Sequence, residues 1–466
     1  MPDFSIIAQD PNVRDLVQDN ALERAFHDAL FPRQLFRSEV VAKQWPAGNG
    51  DTVVFTADGL LEPDSEPIAP KTDPLPMASQ AEQWEAVMHR YTGTLDVDMP
   101  TSMVAIADFF MRSMQRLGMQ AAQSLNRKVR NRMYNAGLSG WTVADGAQSG
   151  TTLRVKRLNG FTRARNPLLS SGSQVRFSPV SKSNPLSITV VDNGAAATFS
   201  VVGFTPDTLG DEIGPGTLTL LAGTTSVLDR AYVYSSDRTS IVRAGGGEKV
   251  DSIISSDVAT LSTVRSAITR LRSMNVDPHQ DGYFHAHNSP TSLARLFEDA
   301  EFQRLNQSLP DYFMYKAFAV GTILNTVFLT NTEAPQSSTV RGGTTATFSV
   351  KDDFAGELYN NGVAATGVPI ERILITGPEL CFEMYQDLAG LISEAGVTGK
   401  VAEPRVSNNS IEVFTDRIQM VMRAPLNRLQ DQVALTWQLI GDWPVRTDSC
   451  SGDSARFKRC VVLEHA

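Results

Sequence analysis

A long apolar stripe constrains the fold of this chain more than any other feature of its sequence. Apolar residues recur at steps of three or four along it: Met103, Ala107, Phe110, Met114, Leu117, Ala121, Leu125, Val129 and Met133. This spacing places them on one face of an α-helix. Asp98, Pro100 and Thr101 are helix-start signals, and Gly137 is a stop signal. The predicted helix has about 35 residues and is roughly 50 Å long, which is typical of a structural spine. Its opposite face carries Arg112, Arg116, Arg127, Arg130 and Arg132.

The residues before this helix predict two extensions that lack a core of their own. Residues 1–37 have the texture of a partly helical N-terminal arm. In residues 38–100, a β-branched strand at 51–56 and a second strand at 84–99 flank a proline-studded stretch from Pro63 to Pro76. We interpret 38–100 as a projecting hairpin that requires a partner surface, and 101–145 as the helical region.

The residues after the helix change from short strands to mixed α/β texture. Residues 146–240 are rich in Gly, Ser, Thr and Val and predict a small inserted all-β domain. Residues 245–410 predict an α/β region with helices at 250–274, 292–307 and after Pro378, and with strands at 282–287, 326–330 and 372–376. Residues 411–466 alternate as strands should and would close the preceding domain. The predicted fold class is therefore α+β.

Charge is unevenly distributed along the chain. The net charge is −9, which argues against a protein that coats nucleic acid by neutralising phosphates. Residues 146–191 nevertheless contain no Asp or Glu, while they carry Arg154, Lys156, Arg157, Arg163, Arg165, Arg176 and Lys182. This basic patch has three readings: contact with an acidic neighbouring subunit, a solvated face, or contact with DNA.

Composition and the chain ends give further expectations about environment. The N-terminus has no basic or apolar region of a signal peptide, and the longest apolar stretch, residues 313–329, is interrupted by Lys316 and Asn325. We expect a soluble protein made in a reducing compartment. Cys381, Cys450 and Cys460 are then expected to be thiols, with a Cys450–Cys460 bridge as the alternative.

One cluster offers candidate metal ligands. His279, Asp281, His285 and His287 lie close together in sequence, and His285 and His287 fall on one face of a predicted strand. The metal-site reading requires ligands elsewhere, and no second cluster supplies them, so we interpret these histidines as structural. Gly399–Lys400 does not form a phosphate-binding loop, because Glu394 and Val401 replace the Gly and Ser/Thr that such a loop needs. No catalytic, cofactor-binding or metal-binding residue is predicted.

The order of these segments resembles the major capsid proteins of tailed bacteriophages, which share the Hong Kong 97 (Johnson) fold. Two segments resemble the strands of the family's extended loop, one resembles the middle of its spine helix, and two resemble its peripheral and axial domains. In that order the segments are 50–63, 91–98, 118–126, 281–287 and 321–330. His287-Asn288 stands where the family typically has His-Pro, and 146–240 has no place in the minimal fold.

The resemblance implies a shell protein without catalytic activity. It implies hexamers and pentamers that enclose double-stranded DNA without sequence-specific binding, and assembly in the host cytoplasm into a virion capsid. The implied partners are a scaffolding protein and a portal, with a decoration protein as an optional one, and no membrane or cofactor is implied. Lys71 is the candidate for the lysine that the namesake cross-links, although most relatives do not cross-link. The alternatives are an encapsulin-like compartment protein and a metal-dependent hydrolase that uses His279, His285 and His287.

Overall fold

The computed structural model describes a large part of the chain in separate ranges. These are residues 35–46, 50–58, 81–98, 108–166, 176–192, 195–208, 213–229, 231–235, 241–247, 252–307, 322–330, 370–386, 405–407, 410–415, 417–423, 432–445 and 459–466. The chain divides into two compact units. Unit 1 takes its residues from 1–53, 85–130 and 381–444, and unit 2 takes its residues from 54–84, 131–380 and 445–466.

Both helices and strands are present, which confirms the predicted α+β class. The α-helices of the described ranges are α1 Asp108–Gly137, α2 Leu261–Ser273, α3 Pro290–Glu298 and α4 Ala300–Gln307. The strands of the first half are β1 Val41–Gln44, β2 Thr52–Asp58, β3 Ala81–Val87, β4 His89–Asp98, β5 Trp141–Val143, β6 Gln148–Val155, β7 Arg163–Asn166, β8 Arg176–Pro179, β9 Leu186–Asp192, β10 Ala195–Pro206, β11 Gly216–Val227 and β12 Tyr232–Ser235. Those of the second half are β13 Ile241–Arg243, β14 Phe284–Asn288, β15 Thr322–Ile323, β16 Thr326–Thr330, β17 Glu371–Thr376, β18 Phe382–Tyr385, β19 Arg405–Ser407, β20 Ser410–Thr415, β21 Ile418–Arg423, β22 Gln432–Asp442 and β23 Cys460–His465. No helix of the described ranges is long and apolar enough to cross a membrane.

The predicted long helix is confirmed as α1, which ends at Gly137 as the sequence indicates. Its apolar stripe is buried: Met114, Leu117, Ala121, Leu125, Val129 and Met133 are each at most 4% exposed. The polar face is not uniform, because Arg130, predicted to be on that face, is buried. Most residues of α1 from Val129 onward are buried regardless of their side, so a one-faced pattern no longer applies there.

Unit 1 is built on a seven-stranded sheet with the order β1-β18-β22-β21-β20-β19, in which β4 also pairs with β22. The β4–β22 ladder is antiparallel and runs from His89↔Gly441 to Asp98↔Gln432. Alternate residues of β22 are buried, among them Leu435, Trp437 and Leu439. The Trp437 indole packs over Gly93, where a Cβ would lie 2.5 Å from Nε1, and Nε1 donates to Gln120 Oε1 of α1 at 2.7 Å.

Unit 2 contains a six-stranded mixed sheet with the order β13-β23-β17-β14-β16-β15. One face of this sheet carries Phe284, Ala286, Ile373, Ile375, Val461 and Leu463, which pack with the apolar face of α2 in one buried cluster. On the other face, the end of α1 approaches so closely that a Cβ on Gly137 would lie 2.4 Å from Val462 Cγ2. The sheet is thus covered on both sides, as its near-continuous apolar strands require.

Strands β7 and β8 pair separately, and the other six strands between Trp141 and Ser235 form a second sheet of unit 2 with the order β5-β12-β9-β10-β11-β6. Its two outer strands meet, because Asp145 N donates to Arg154 O at 3.0 Å and Lys156 N donates to Val143 O at 3.1 Å. The sheet therefore closes into a small barrel, which removes the free edges of an open sheet. The interior is a separate apolar cluster that includes Leu153, Ile188, Val201, Leu218 and Val233.

Three helix predictions were wrong. Residues 252–260 precede α2 without forming a helix, because Thr260 caps the helix through a reciprocal capping box with Thr263. The predicted helix at 292–307 is two helices, since Asp299 has extended backbone angles and its side chain accepts from the Glu301 backbone N–H. After Pro378 the chain forms strand β18 instead of a helix, pairing in parallel with β1.

The predicted hairpin region also differs in its pairing. The second predicted strand, 84–99, is divided at Met88 into β3 and β4. β3 pairs with β2 in a two-stranded sheet, whereas β4 pairs with β22. We call the β2–β3 pair the ribbon. The proline-rich stretch with Lys71, most of the N-terminal arm, Gly399–Lys400 and Cys450 lie outside the described residues.

Candidate functional site

The predicted histidine cluster is only partly assembled. The rings of His279 and His285 stack with centroids 4.1 Å apart, and His285 Nε2 lies 2.8 Å from Asp281 Oδ2. The turn that holds them is fixed locally, since His279 N donates to Tyr283 O and Tyr283 N donates to Asp281 Oδ1. Burial would raise the pKa of Asp281, but the hydrogen bonds from His285 and from the Tyr283 backbone outweigh it and hold the pKa below its ordinary value.

His287 is not part of this arrangement. It lies two positions beyond His285 on β14 and is fully buried, whereas His285 is partly exposed. In the described ranges, no grouping of potential metal ligands contains His287. The three histidines of the hydrolase alternative therefore do not converge on one point.

The basic patch predicted for residues 146–191 is partly neutralised within the barrel, at Arg154 and Lys156. Arg154 forms ion pairs with Asp145 at 2.8 Å and with Asp207 at 2.7 Å, and Lys156 pairs with Asp145 at 2.7 Å. Hydrogen bonds from Lys156 and Arg154 hold the pKa of Asp145 below its ordinary value. Arg157 is buried and donates to Asn135 Oδ1. These residues are thus not available as a positive surface for a neighbour or for DNA.

A buried ionic network that the sequence analysis missed joins three adjacent strands of the unit 2 sheet. Glu464 lies opposite Arg243 of β13 and opposite Arg372 of β17. Its two carboxylate oxygens accept from Arg372 Nε at 2.8 Å and from Arg243 Nε at 2.7 Å. Burial would raise the pKa of Glu464, but the charges of Arg243 and Arg372 outweigh burial and lower it.

The same arginine connects the sheet to the barrel. The guanidinium of Arg243 lies 5.3 Å from the ring centroid of Trp141 and 5.8 Å from that of Tyr232. Trp141 and Tyr232 belong to barrel strands β5 and β12 and stack on each other. Cation–π contacts at this distance are attractive and gain strength when water is excluded. One buried cation therefore fastens the barrel to the sheet beside it.

A second buried network fixes the start of the described chain in unit 1. Phe36 is fully buried, and its backbone N–H donates to Asn126 Oδ1 of α1 at 2.9 Å. Arg37 donates to Glu383 of β18 through Nε and Nη2, with the shorter bond at 2.6 Å. Arg417 also contacts Glu383 at 3.0 Å. The point at which the predicted arm meets the body is thus anchored by charge-assisted hydrogen bonds.

The sequence contains a signal for the network around Glu464. Glu464 follows the apolar run Val461–Val462–Leu463, and Arg372 precedes Ile373–Leu374–Ile375. A charge inside a strand that is otherwise apolar must be paired if the strand is buried. The partners are distant in sequence, so the pairing itself could not be read from the pattern.

The ribbon is the most exposed paired element near the predicted extensions. Val54 is 54% exposed and Val87 is 39% exposed, although both are large apolar residues. Phe55 and Trp84 stack across the ribbon with centroids 5.7 Å apart. A two-stranded sheet is at best marginally stable alone in water. The ribbon therefore presents apolar side chains that a partner surface would cover.

No protein-family model and no curated protein matches this sequence. Among solved structures, the chain is similar to the capsid of Ralstonia phage GP4, with 12% identity, a TM-score of 0.48, and coverage of 94% of this chain and 92% of that one. It is similar to the capsid of cyanophage Pam1, with 9% identity, a TM-score of 0.49, and coverage of 93% and 92%. It is also similar to the SrpI encapsulin of Synechococcus elongatus, with 10% identity, a TM-score of 0.37, and coverage of 93% and 87%. Each of these similarities extends over more than nine tenths of this chain.

Proposed function

We propose that this chain is the major capsid protein of a tailed bacteriophage, a subunit that self-assembles into the icosahedral shell around the phage genome. The observation that carries the proposal is the order of elements along the chain. An anchored segment at 35–44 is followed by an exposed two-stranded ribbon, by the 30-residue helix α1, by the barrel, and by most strands of two further sheets. This is the order that the resemblance of the sequence to these capsid proteins implies.

Within one chain the ribbon buries Trp84 and Ala86 but leaves other apolar side chains exposed to solvent. The ribbon exposes Val54 and Val87, and it has no sheet of its own beyond the two strands. A subunit that tiles a closed surface must form many contacts between different surface patches of identical copies. Ribbons and arms that lack a core gain stability by covering a neighbour, and this suits them to such contacts.

Several finer features belong to the same proposal. The domain limits are those predicted from sequence, with residues 146–240 as an insertion; the closed barrel between Trp141 and Ser235, with its own apolar interior, supports this division. The shell would consist of hexamers and pentamers, form in the host cytoplasm with a scaffolding protein and a portal, and enclose double-stranded DNA. A decoration protein is an optional partner. The ion pairs of Arg154 and Lys156 support a container that does not grip DNA through these two barrel residues.

The hydrolase alternative is tested by metal content. His287 is buried apart from the stacked pair of His279 and His285, so we propose that the protein has no catalytic metal site. Elemental analysis of purified protein should find no stoichiometric metal, and His285→Ala should leave assembly intact. One zinc ion per chain, lost in the His285→Ala variant, would contradict this.

Deletion of the tip between the ribbon strands tests the shell function. Removing residues 62–78 should give soluble chains whose circular dichroism and melting match those of the unassembled full-length protein, but which do not form shells. The reason is that the deletion leaves the sheets of both units untouched while removing the part proposed to cover a neighbour. Normal closed shells from the deleted chain would contradict the proposed role.

A further inference from the structure

Two buried titratable residues face each other across the β17–β23 ladder. Glu371 of β17 is the cross-strand partner of His465 of β23. Their exposed fractions are 1% and 0%, respectively. The N-terminus of α3 covers both, with Ser289 as its N-cap and Ser292 in its first turn, and these two serines are fully buried.

The two serines connect the two titratable groups. Ser289 Oγ lies 2.9 Å from Glu371 Oε2 and 3.1 Å from Ser292 Oγ. Ser292 Oγ lies 2.9 Å from His465 Nε2. The result is an unbroken series of three hydrogen-bond distances from the carboxyl to the imidazole. We call these four residues the proton chain.

The positions of the protons follow from the ends of the chain. His465 Nδ1 lies 2.8 Å from an oxygen of Ala466, the last residue of the sequence, and this oxygen accepts whether it belongs to a carbonyl or a carboxylate, so Nδ1 carries the proton. In neutral His465, Nε2 must then accept from the Ser292 hydroxyl. Ser292 has only one proton to donate, so the contact between the serines requires the Ser289 hydroxyl to donate to Ser292 Oγ. The Ser289 hydroxyl would donate to an ionised Glu371 across this 2.9 Å contact, but in the state with neutral His465 it has no proton left, so the contact is then satisfied only if Glu371 is protonated and donates.

We propose that Glu371, Ser289, Ser292 and His465 form a proton-linked lock that holds the start of α3 on the β17–β23 ladder, and that with His465 neutral the lock is complete only when Glu371 is protonated. Ionised Glu371 beside neutral His465 would take the Ser289 proton and break the link between the serines. Protonated His465 could donate to Ser292 with every donor of the chain reversed and Glu371 ionised, but that state places two charges in a site where both side chains are at most 1% exposed. The inference is independent of the proposed shell function.

The electrostatic surroundings agree with this geometry. Burial raises the pKa of Glu371 to about 7, against the lowering effects of a Ser289 hydroxyl that donates to the ionised form and of the charges of Arg372 and Arg295. Burial also lowers the pKa of His465 to about 4. Glu371 Oε1 has no hydrogen-bond partner in the described ranges, which an ionised carboxylate would tolerate poorly.

The other charged groups near the lock belong to the elements that surround it. Arg295 of α3 acts on both titratable residues. Strand alternation places Arg372, Glu464 and Arg243 on the opposite face of the sheet, and the same holds for His287 of β14. Of the arginines of α2, which packs on β23, Arg265 and Arg272 are exposed and Arg270 is half-buried. The Asp257 carboxylate accepts from Ile254 N.

Infrared spectroscopy of the full chain reads the protonation of Glu371 directly. At pH 6 the ordinary carboxyl groups are ionised, so a carboxylic-acid C=O band equivalent to about one group per chain is expected, and it should disappear by pH 8.5. Glu371→Gln should remove the band, while the matched control Glu298→Gln, at an exposed position of α3, should keep it. Absence of the band in the wild type at pH 6, or its persistence in Glu371→Gln, would overturn the proposal.

A second variant tests whether Glu371 donates a hydrogen bond to Ser289 or is kept protonated by burial alone. Ser289→Ala removes the acceptor of the proposed Glu371 hydrogen bond. The acid band should then shift to higher wavenumber, because a C=O stretch rises when the acid loses its hydrogen bond. An acid band at an unchanged position in Ser289→Ala would show that Glu371 does not donate into the chain, and the lock would be wrong even if Glu371 were protonated.

Discussion

Single side chains in the interior fasten the parts of unit 2 to one another. Glu464 is held between Arg372 and Arg243, and Arg243 in turn lies against Trp141 and Tyr232 of the barrel. Removing one member of such a buried network leaves an uncompensated charge, which typically costs about 3–5 kcal/mol. The network thus specifies one arrangement of sheet and barrel strands, since other pairings would leave a buried charge without its partner.

Gly137 shows that a close approach can reverse the usual effect of a substitution. In a helix interior, Gly→Ala ordinarily stabilises by about 1 kcal/mol. At Gly137 the added Cβ would lie 2.4 Å from Val462 Cγ2, so we expect Gly137→Ala to destabilise the protein by about 1–3 kcal/mol through overpacking. Urea unfolding of the full chain measures this.

Val462→Ala provides the matched control for that substitution. It removes the methyl group that the new Cβ would meet, so Gly137→Ala should cost much less in the Val462→Ala background than in the wild type. Additive effects of the two substitutions, or a Gly137→Ala variant more stable than wild type, would contradict the close approach.

Glu371 and His465 should affect stability with opposite dependence on pH. The pKa of Glu371 is raised to about 7 in the folded state, so its contribution is fully present below pH 4.5 and is lost as pH rises to about 7. The pKa of His465 is lowered to about 4, so its contribution is present above pH 6.5 and is lost as pH falls to about 4. Between these pH limits the contribution of Glu371 to the free energy of unfolding therefore falls as pH rises, whereas that of His465 increases.

Urea unfolding of the variants between pH 4 and 7.5 should reveal each slope separately. Relative to wild type, Glu371→Gln should gain stability as pH rises from 4.5 to 7, by about 3 kcal/mol in total. His465→Gln should lose stability relative to wild type from pH 4 to 6.5, by a similar amount. Profiles parallel to that of the wild type would show that neither residue is titrating as described.

At the scale of elements, hydrophobic periodicity correctly predicted elements that bury one apolar face. The α1 stripe, its end at Gly137 and strand β16 at Thr326–Thr330 agree with the sequence prediction. The start of α2 and the strand after Pro378 were missed for different reasons. Thr260 and Thr263 cap α2 although the apolar pattern continues before them, and β18 is a strand because β1, more than 300 residues earlier, pairs with it.

A substitution in the ribbon tests whether the ribbon contacts a neighbouring subunit, and the same substitution at an exposed barrel residue is its control. Val54 of the ribbon and Leu221 of β11 are both exposed, at 54% and 62%. Substituting either with Asp should change the stability of unassembled chains by no more than about 0.5 kcal/mol, as is usual for surface positions. Val54→Asp should reduce the yield of shells, because it would place a charge in the covered contact, whereas Leu221→Asp should not.

Light scattering and electron microscopy of the two variants measure this difference. Equal shell yields from Val54→Asp and from the wild type would show that the ribbon is not an intersubunit contact. Loss of shells in both variants would show that assembly does not depend on the ribbon in particular.

At the scale of the whole molecule, the order of segments could be predicted from sequence, but the long-range partners could not. The buried Arg37–Glu383 pair joins residues 346 positions apart, and Arg243 and Glu464 are 221 positions apart. Composition also gave a basic patch, whereas Asp145 and Asp207, which lie outside the acid-free stretch, pair with its Arg154 and Lys156. The sequence contained each residue type, and only folding determined which charges meet.

The central claim is that copies of this chain close into a shell, and negative-stain electron microscopy of the expressed full chain tests it most directly. The protein is imaged alone and after co-expression with its neighbouring gene products, which would supply a separate scaffolding protein. The account predicts closed icosahedral shells built of hexamers and pentamers in at least the co-expressed sample. A discrete small oligomer in both samples, with no shells or shell fragments, would contradict it.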